Sequence, residues 1–328
     1  MDLEKETSIE RFQPEDFFVA LITILLRTLR DRKVKFDRKE FESIANDWVS
    51  EEEVSREIEK SFGVEAEAEV SLGWKFWEFL GIGGHLKGTY SADNKTTKAI
   101  RQQIKTNPIG LVTRLNAAIV GVREDIQRAG KGREILFVVD GLEKTRHEVY
   151  ESLFIQDPQA ILSLGAHQIL TVPIGTFYEV QSQPSREFFE TVYLPMLRLN
   201  EQTVPLFKEL VLRRVSPELL GEGVLDECIS YSGGCPRQML KLVNRALGIA
   251  LGKPVTLEHA EKAIREEGNE RWRTLTSTHQ EILRSREFET ANLEVLELLQ
   301  SLNILEYNGM NLERKINPLI ERFFTESA

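Results

Sequence analysis

Cysteine and histidine are scarce: the 328 residues hold two of the first and five of the second. Neither Cys228 and Cys235 nor the scattered histidines show structural-zinc spacing, so a metal-stapled scaffold is excluded. Both cysteines fall in apolar, helical surroundings and are read as reduced thiols. The first residues, Met-Asp-Leu-Glu-Lys-Glu, are too polar and acidic for a signal peptide, and the expected location is the cytoplasm. No stretch reaches the roughly 18–20 apolar residues that span a bilayer. Positive charge is in deficit, 42 basic residues against 52 acidic, which argues against broad nonspecific binding to nucleic acid. There is no Gly-X-Gly-X-X-Gly after a strand and no Ser-His-Asp or Cys-His arrangement, so a dinucleotide enzyme or a nucleophilic hydrolase is a poor reading. What remains is a chain long enough for two or three domains.

Helical patterning dominates what is there. Pro14, Glu15 and Asp16 open a helix to about residue 32, with Phe17, Phe18, Leu21, Ile22, Leu25 and Leu29 on one face. A second helical stretch is expected over about 38–62. Residues 64–95 differ: Val64 to Val70 alternates like a strand, Trp74, Phe76, Trp77, Phe79 and Leu80 crowd together, and four glycines follow. This predicts an inserted hairpin or amphipathic excursion, whose aromatics either pack under neighbouring helices or form a surface for a partner or a membrane. A long helix over 96–129 carries Leu111, Leu115, Ile119, Val122 and Ile126, with Pro108 starting or kinking it.

Ile135 to Val139 is an unbroken apolar run, followed at once by Asp140, Gly141 and, three positions after the acid, Glu143. The run reads as a parallel-sheet strand buried on both faces, and an acid at its carboxyl end sits where α/β sheets bind ligands. The competing reading is a strand that ends in Asp for turn chemistry. Gln168–Ile174 predicts a second buried strand and Met196–Leu199 a third. After residue 200 helices are expected at about 202–214, 222–232, 235–251 and 256–268. Residues 276–328 predict two helices, a strand at Ile304–Tyr307, a turn at Asn308-Gly309, a short Arg314–Ile316 segment and a last helix.

A second motif is Ser232-Gly233-Gly234-Cys235-Pro236-Arg237, ahead of an amphipathic helix. The glycines allow a tight turn, Ser232 or Cys235 can cap, and Pro236 suits a first helical turn. The bland alternative is an ordinary helix start with an exposed arginine.

Together these residues resemble P-loop ATPases of the AAA+ and STAND classes, in which an apolar strand ending in Asp is the Walker B element and a lid arginine is sensor 2. The resemblance implies an α/β, incomplete parallel-sheet NTPase-like core over 1–200 with an insertion at 64–95, an all-α lid over 201–272, and a winged-helix-like module over 273–328. It implies ATP and magnesium as cofactors, Asp140 as the metal ligand, Glu143 as a general base, Thr171 as the polar group of a sensor strand (with Gln168 and Thr176 also near), and Arg237 on the phosphates. Arg213 and Arg214 either reach a phosphate or a neighbouring subunit, or pair with Glu218 or Glu222.

One part is missing. No Gly-X-X-X-X-Gly-Lys-Ser/Thr occurs; Gly81 to Thr89 and Gly130-Lys131-Gly132 are look-alikes with the wrong order or the wrong context. By ordinary element lengths, roughly the first 50–80 residues of such a domain are expected to be absent. Without that loop the chain alone is expected to bind ATP weakly and to hydrolyse it negligibly. The partners expected are ATP and an unidentified protein or a second copy. DNA is possible but disfavoured, because the recognition-helix candidate near 290–301 carries glutamates and no Lys or Arg.

Overall fold

The computed structural model describes residues 1–49, 55, 56, 58, 71–80, 95–173, 178, 190, 192, 194–288, 292–307 and 313–325. The strand-like run 64–70, the glycine-rich stretch 81–89, Thr176 and the Asn308-Gly309 turn lie outside them. The described part is mostly helical with a small parallel sheet. It divides into two compact units, Met1–Glu190 and Thr191–Ala328.

In the first unit, helix α1 spans Pro14–Asp31. Pro14 occupies the first turn, where no N–H is needed, and Gln13 and Asp16 cap each other's backbone. Helix α2 follows at Lys39–Trp48, shorter among the described residues than the sequence pattern suggested. Helix α3, Leu72–Phe79, is capped by Ser71, which accepts from the Trp74 N–H at 3.2 Å.

The crowded aromatics are core, which corrects the partner-surface alternative. Trp77 and Phe76 are fully buried, lie 5.0 Å apart between ring centres, and meet Trp48 edge to face at 5.5 and 5.8 Å. The Trp77 indole donates to the Phe41 carbonyl at 2.8 Å, so its polar edge is satisfied in the interior. Helix α4, Lys95–Thr106, and helix α5, Pro108–Arg128, take the place of the single long helix. Pro108 cannot continue the first, and Asn107 caps the second by accepting from the Gly110 N–H at 2.9 Å.

Strand β1, Leu136–Val139, pairs in parallel with strand β2, His167–Leu170. Between them come His147–Glu151, a π-helical turn Ser152–Gln156 and, past Pro158, Gln159–Leu162. The expectation of burial on both faces fails. Ile135, Phe137 and Val139 are buried, but Leu136 is 53% and Val138 47% exposed, and Ile169 beside them is 56% exposed. Successive side chains of a strand point to opposite faces, and only one face lies against the helical core.

The second unit holds helices α6 Thr203–Leu212, α7 Val224–Tyr231, α8 Pro236–Ala250, α9 Leu257–Thr274, α10 Ser277–Ser285 and α11 Leu293–Gln300. An antiparallel pair, β3 Ile304–Tyr307 and β4 Glu313–Ile316, then leads into helix α12, Pro318–Thr325. Val224, Cys228, Met239, Leu242, Val243, Ala263 and Leu319 share one core, so the last helix is built into the helical body. A Cβ on Gly268 would come within 2.3 Å of the Leu319 carbonyl oxygen, which explains the glycine in mid-helix. Met196–Leu199 is not a strand of the parallel sheet. It is an extended segment of the second unit whose amides, at Met196 and Leu197, donate to Glu306 and Gly234 carbonyls at 2.9 and 3.3 Å.

Candidate functional site

The register of the parallel pair builds the site. Val139 lies opposite Leu170, so the next residue on each strand, Asp140 and Thr171, meet at the carboxyl end of the sheet. The Thr171 N–H donates to the Val139 carbonyl at 3.0 Å, fixing that step. Gly141 then takes φ of +101°, which turns the chain sharply into the short helical turn Leu142–Lys144 and swings Glu143 back. A side chain on Gly141 would also press on Leu3, 3.3 Å away.

Three of the residues singled out in the sequence therefore converge. The Thr171 hydroxyl lies 2.6 Å from Glu143 Oε2 and 3.2 Å from Asp140 Oδ1. It has one proton to give, and the shorter, better contact is to Glu143. The Gly141 N–H is shared between Thr171 Oγ1 at 3.0 Å and Glu143 Oε2 at 3.1 Å. Glu143 is thus tied back by two donors, while Asp140 is the carboxylate left toward solvent. Both bonds fall on Oε2, and neither engages Oε1 of the same carboxylate.

A feature the sequence did not disclose flanks this cluster. Met1 to Leu3 runs along the other edge of β1: the Asp140 N–H donates to the Met1 carbonyl at 2.8 Å, and the Leu3 N–H to the Asp140 carbonyl at 2.9 Å. Lys144 pairs with Glu4 just beyond. Three residues are too few for any periodicity to register, so nothing in the sequence pointed to this pairing.

The donor set at the strand ends, two carboxylates and a hydroxyl, suits a hard divalent cation. For the phosphates of a nucleotide the match is poorer, since the Gly141 N–H that points into the cluster is already taken. No group of three or more His, Cys, Asp or Glu placed to hold a metal ion occurs among the described residues. Gln168 belongs to a different environment, its amide donating to the Ile161 carbonyl at 2.9 Å.

Arg237 lies in the second unit, exposed in the first turn of α8, with no hydrogen-bond or ion-pair partner among the described residues. The turn before it is unusual in its constraints. Gly233 and Gly234 have φ of +57° and +80°. A Cβ on Gly234 would fall 1.7 Å from the Leu197 carbonyl oxygen, and one on Gly233 2.3 Å from Leu305. Ser232 does not cap α8; its hydroxyl donates to the Ile229 carbonyl at 2.6 Å and accepts from the Gly234 N–H at 3.2 Å. Cys235, the residue before α8, makes no side-chain cap either. Both cysteines are free and buried, and burial pushes the Cys228 thiol up to about 12, so it is an inert apolar filler. Arg213 pairs with Glu209 one helical turn back, in place of the expected Glu218 or Glu222.

Comparison with known proteins gives little help. No protein-family model matches the chain. No curated protein matches it. A solved structure of the Orc1 protein of Aeropyrum pernix in complex with DNA is similar over 70% of this chain and 81% of that chain, at 16% identity and a TM-score of 0.31. Overlap this loose fixes neither fold nor function. No helix among the described residues is long and apolar enough to cross a membrane.

Proposed function

We propose that the chain is the nucleotide-responsive part of an AAA+ or STAND-type switch, with feeble ATPase activity of its own. The observation that carries this reading is the convergence of Asp140, Glu143 and Thr171 at the carboxyl ends of two parallel strands. In this reading Asp140 holds a magnesium ion, largely through water, and the ion supplies neutralising charge for the β- and γ-phosphates. Thr171 orients Glu143 through Oε2, which leaves Oε1 as the atom to polarise the reacting water. Arg237 projects from α6–α9, taken as the lid, to meet a phosphate, and α10–α12 with the β3–β4 hairpin form a winged-helix-like module. The boundaries proposed are those of the sequence reading, 1–200, 201–272 and 273–328.

Calorimetric titration with Mg-ATP tests the proposal. The expected result is affinity weaker than micromolar, with turnover close to the uncatalysed rate, because the phosphate loop that supplies most preorganised donors is absent from the sequence. Micromolar binding would show that other residues replace the loop. Asp140→Asn should remove whatever magnesium dependence the binding has; unchanged dependence excludes Asp140 as the ligand.

A second reading, a non-catalytic protein-contact module, draws on helix α11. It carries Glu294 and Glu297 and an exposed Leu293, and its Glu297 faces His279 at 3.1 Å. That surface repels DNA phosphates and suits a protein partner. A salt-dependent shift of a DNA duplex by the full chain, lost on reversing residues of α11, would overturn this preference.

A further inference from the structure

The second unit contains a set of contacts that the nucleotide reading does not use. They gather on both sides of Arg237. On the amino-terminal side, the Tyr307 hydroxyl at the end of β3 donates to the Gly233 carbonyl at 2.6 Å. The same turn is boxed in by Leu305 and by Pro318, whose Cδ lies 3.1 Å from where a Gly233 Cβ would sit. On the carboxyl-terminal side, Gln238 is buried and forms a two-way amide pair with Asn317. Its Nε2 donates to Asn317 Oδ1 at 3.2 Å and its Oε1 accepts from Asn317 Nδ2 at 3.0 Å. Arg271 of α9 adds a donor to the same Gln238 oxygen at 3.1 Å, and Asn317 Nδ2 also reaches the Leu302 carbonyl at 2.7 Å.

Apart from Arg271 Nε, which has no hydrogen-bond partner and only faces Glu267 at 3.6 Å, these buried groups are paired, and pairs that are costly to break resist local distortion. Burial pushes the Tyr307 phenol up and holds the Arg271 guanidinium below its ordinary value, in line with a dry network. Arg237 stands in the middle, exposed and without a partner among the described residues. An unengaged guanidinium on an over-determined mount is what a pre-aimed ligand contact requires.

We infer that Tyr307 and Asn317 are positioning residues for Arg237, so that the β3–β4 hairpin and the arginine form one mechanical piece. This rests on the reading of Arg237 as a phosphate contact. It adds that a partner pulling on the hairpin changes nucleotide affinity, and that nucleotide changes the hairpin by the same factor, since coupling between binding sites is reciprocal.

The test uses the full chain and Tyr307→Phe, which keeps the ring and removes only the hydroxyl. Mg-ATP is raised into the millimolar range while the Arg237 side-chain Nε resonance is followed. The expected outcome is about fivefold weaker binding in Tyr307→Phe, within the usual range of coupling between sites. In an Arg237→Ala background Tyr307→Phe should cause no further loss, whereas an equal loss there would overturn the inference. Amide hydrogen exchange supplies an arm independent of nucleotide. Tyr307→Phe should speed exchange at the hydrogen-bonded amides of Gly234, Cys235 and Met239 by tenfold or more and leave α7 and α9 unchanged. Unaltered exchange at those three amides overturns the inference whatever ATP does. An Arg237 resonance that ignores Mg-ATP in the parent protein would remove the nucleotide from the reading, with the positioning role then decided by the exchange measurement.

Discussion

The two motif-bearing regions are held in opposite ways. At the strand ends of the first unit, Asp140, Glu143 and Thr171 are exposed and hold one another through a handful of short contacts. In the second unit, the turn before Arg237 is packed from behind by Leu197, Leu305, Tyr307 and Pro318, and only the arginine is free. The first arrangement places groups where they can exchange partners with a ligand. The second fixes a backbone and leaves one charge to act. The contrast also changes what the second motif is evidence for. Gly233 and Gly234 are required by packing within their own unit, so the glycines alone do not argue for a phosphate. Arg237 alone carries that argument.

The comparison can be pressed by substitution, starting with the largest effect. Trp77→Ala in the first unit should cost about 3–5 kcal/mol, from a fully buried indole with a satisfied N–H. Urea unfolding measures it, and a loss under about 1 kcal/mol would mean the aromatic cluster is not core. Gly234→Ala should cost roughly 3 kcal/mol, since both the positive φ and the Leu197 carbonyl oppose a Cβ. Gly252→Ala is its control: φ is +82° but nothing lies within 4 Å of the added carbon, and about 1 kcal/mol is expected. Equal losses at the two positions would remove the packing explanation of the motif.

An alkaline titration comes next. The Cys228 thiol is harder to ionise when folded, about 12 against an ordinary 9.0, so the unfolded chain releases its proton first. Stability is intact below the unfolded value and falls as pH rises toward the folded one, by about 2 kcal/mol near pH 10.5 at most. Tyr307, raised mainly by burial and then by Glu313, adds to the same fall. Cys228→Ala should flatten the curve, apart from a uniform packing cost; an unchanged slope would show that the thiol ionises freely. The smallest effect is expected at the site itself. Asp140→Asn should change stability by less than about 0.5 kcal/mol, because the carboxylate is exposed, while abolishing Mn2+ binding followed by electron paramagnetic resonance. A large destabilisation would make Asp140 a structural turn residue, the bland alternative.

Much of this was readable in advance, and the misses have causes. Helix starts were legible because Pro14, Pro108 and Pro236 carry a local rule: no N–H, and a φ suited to a first turn. The crowded aromatics are read in the sequence as core or as a partner surface, with core the ordinary outcome, and burial of Trp74, Phe76 and Trp77 decides for core. The run Ile135–Val139 predicts burial on both faces and has it on one, because an unbroken apolar run does not say which face has company. Met196–Leu199 reads in the sequence as a strand of the sheet because extended apolar segments look the same wherever they pair.

The sequence by itself determined the local pieces: where helices begin, which residue follows each strand, and which turn needs glycine. Those depend on backbone sterics and on periodicities a few residues long. Only the tertiary structure decided that the Thr171 hydroxyl sits between two acids 28 and 31 positions away, and that Tyr307 reaches back 74 positions to hold the turn before Arg237. Such contacts are set by the register of paired strands and by the closing of a core, and neither is written in any short stretch of chain.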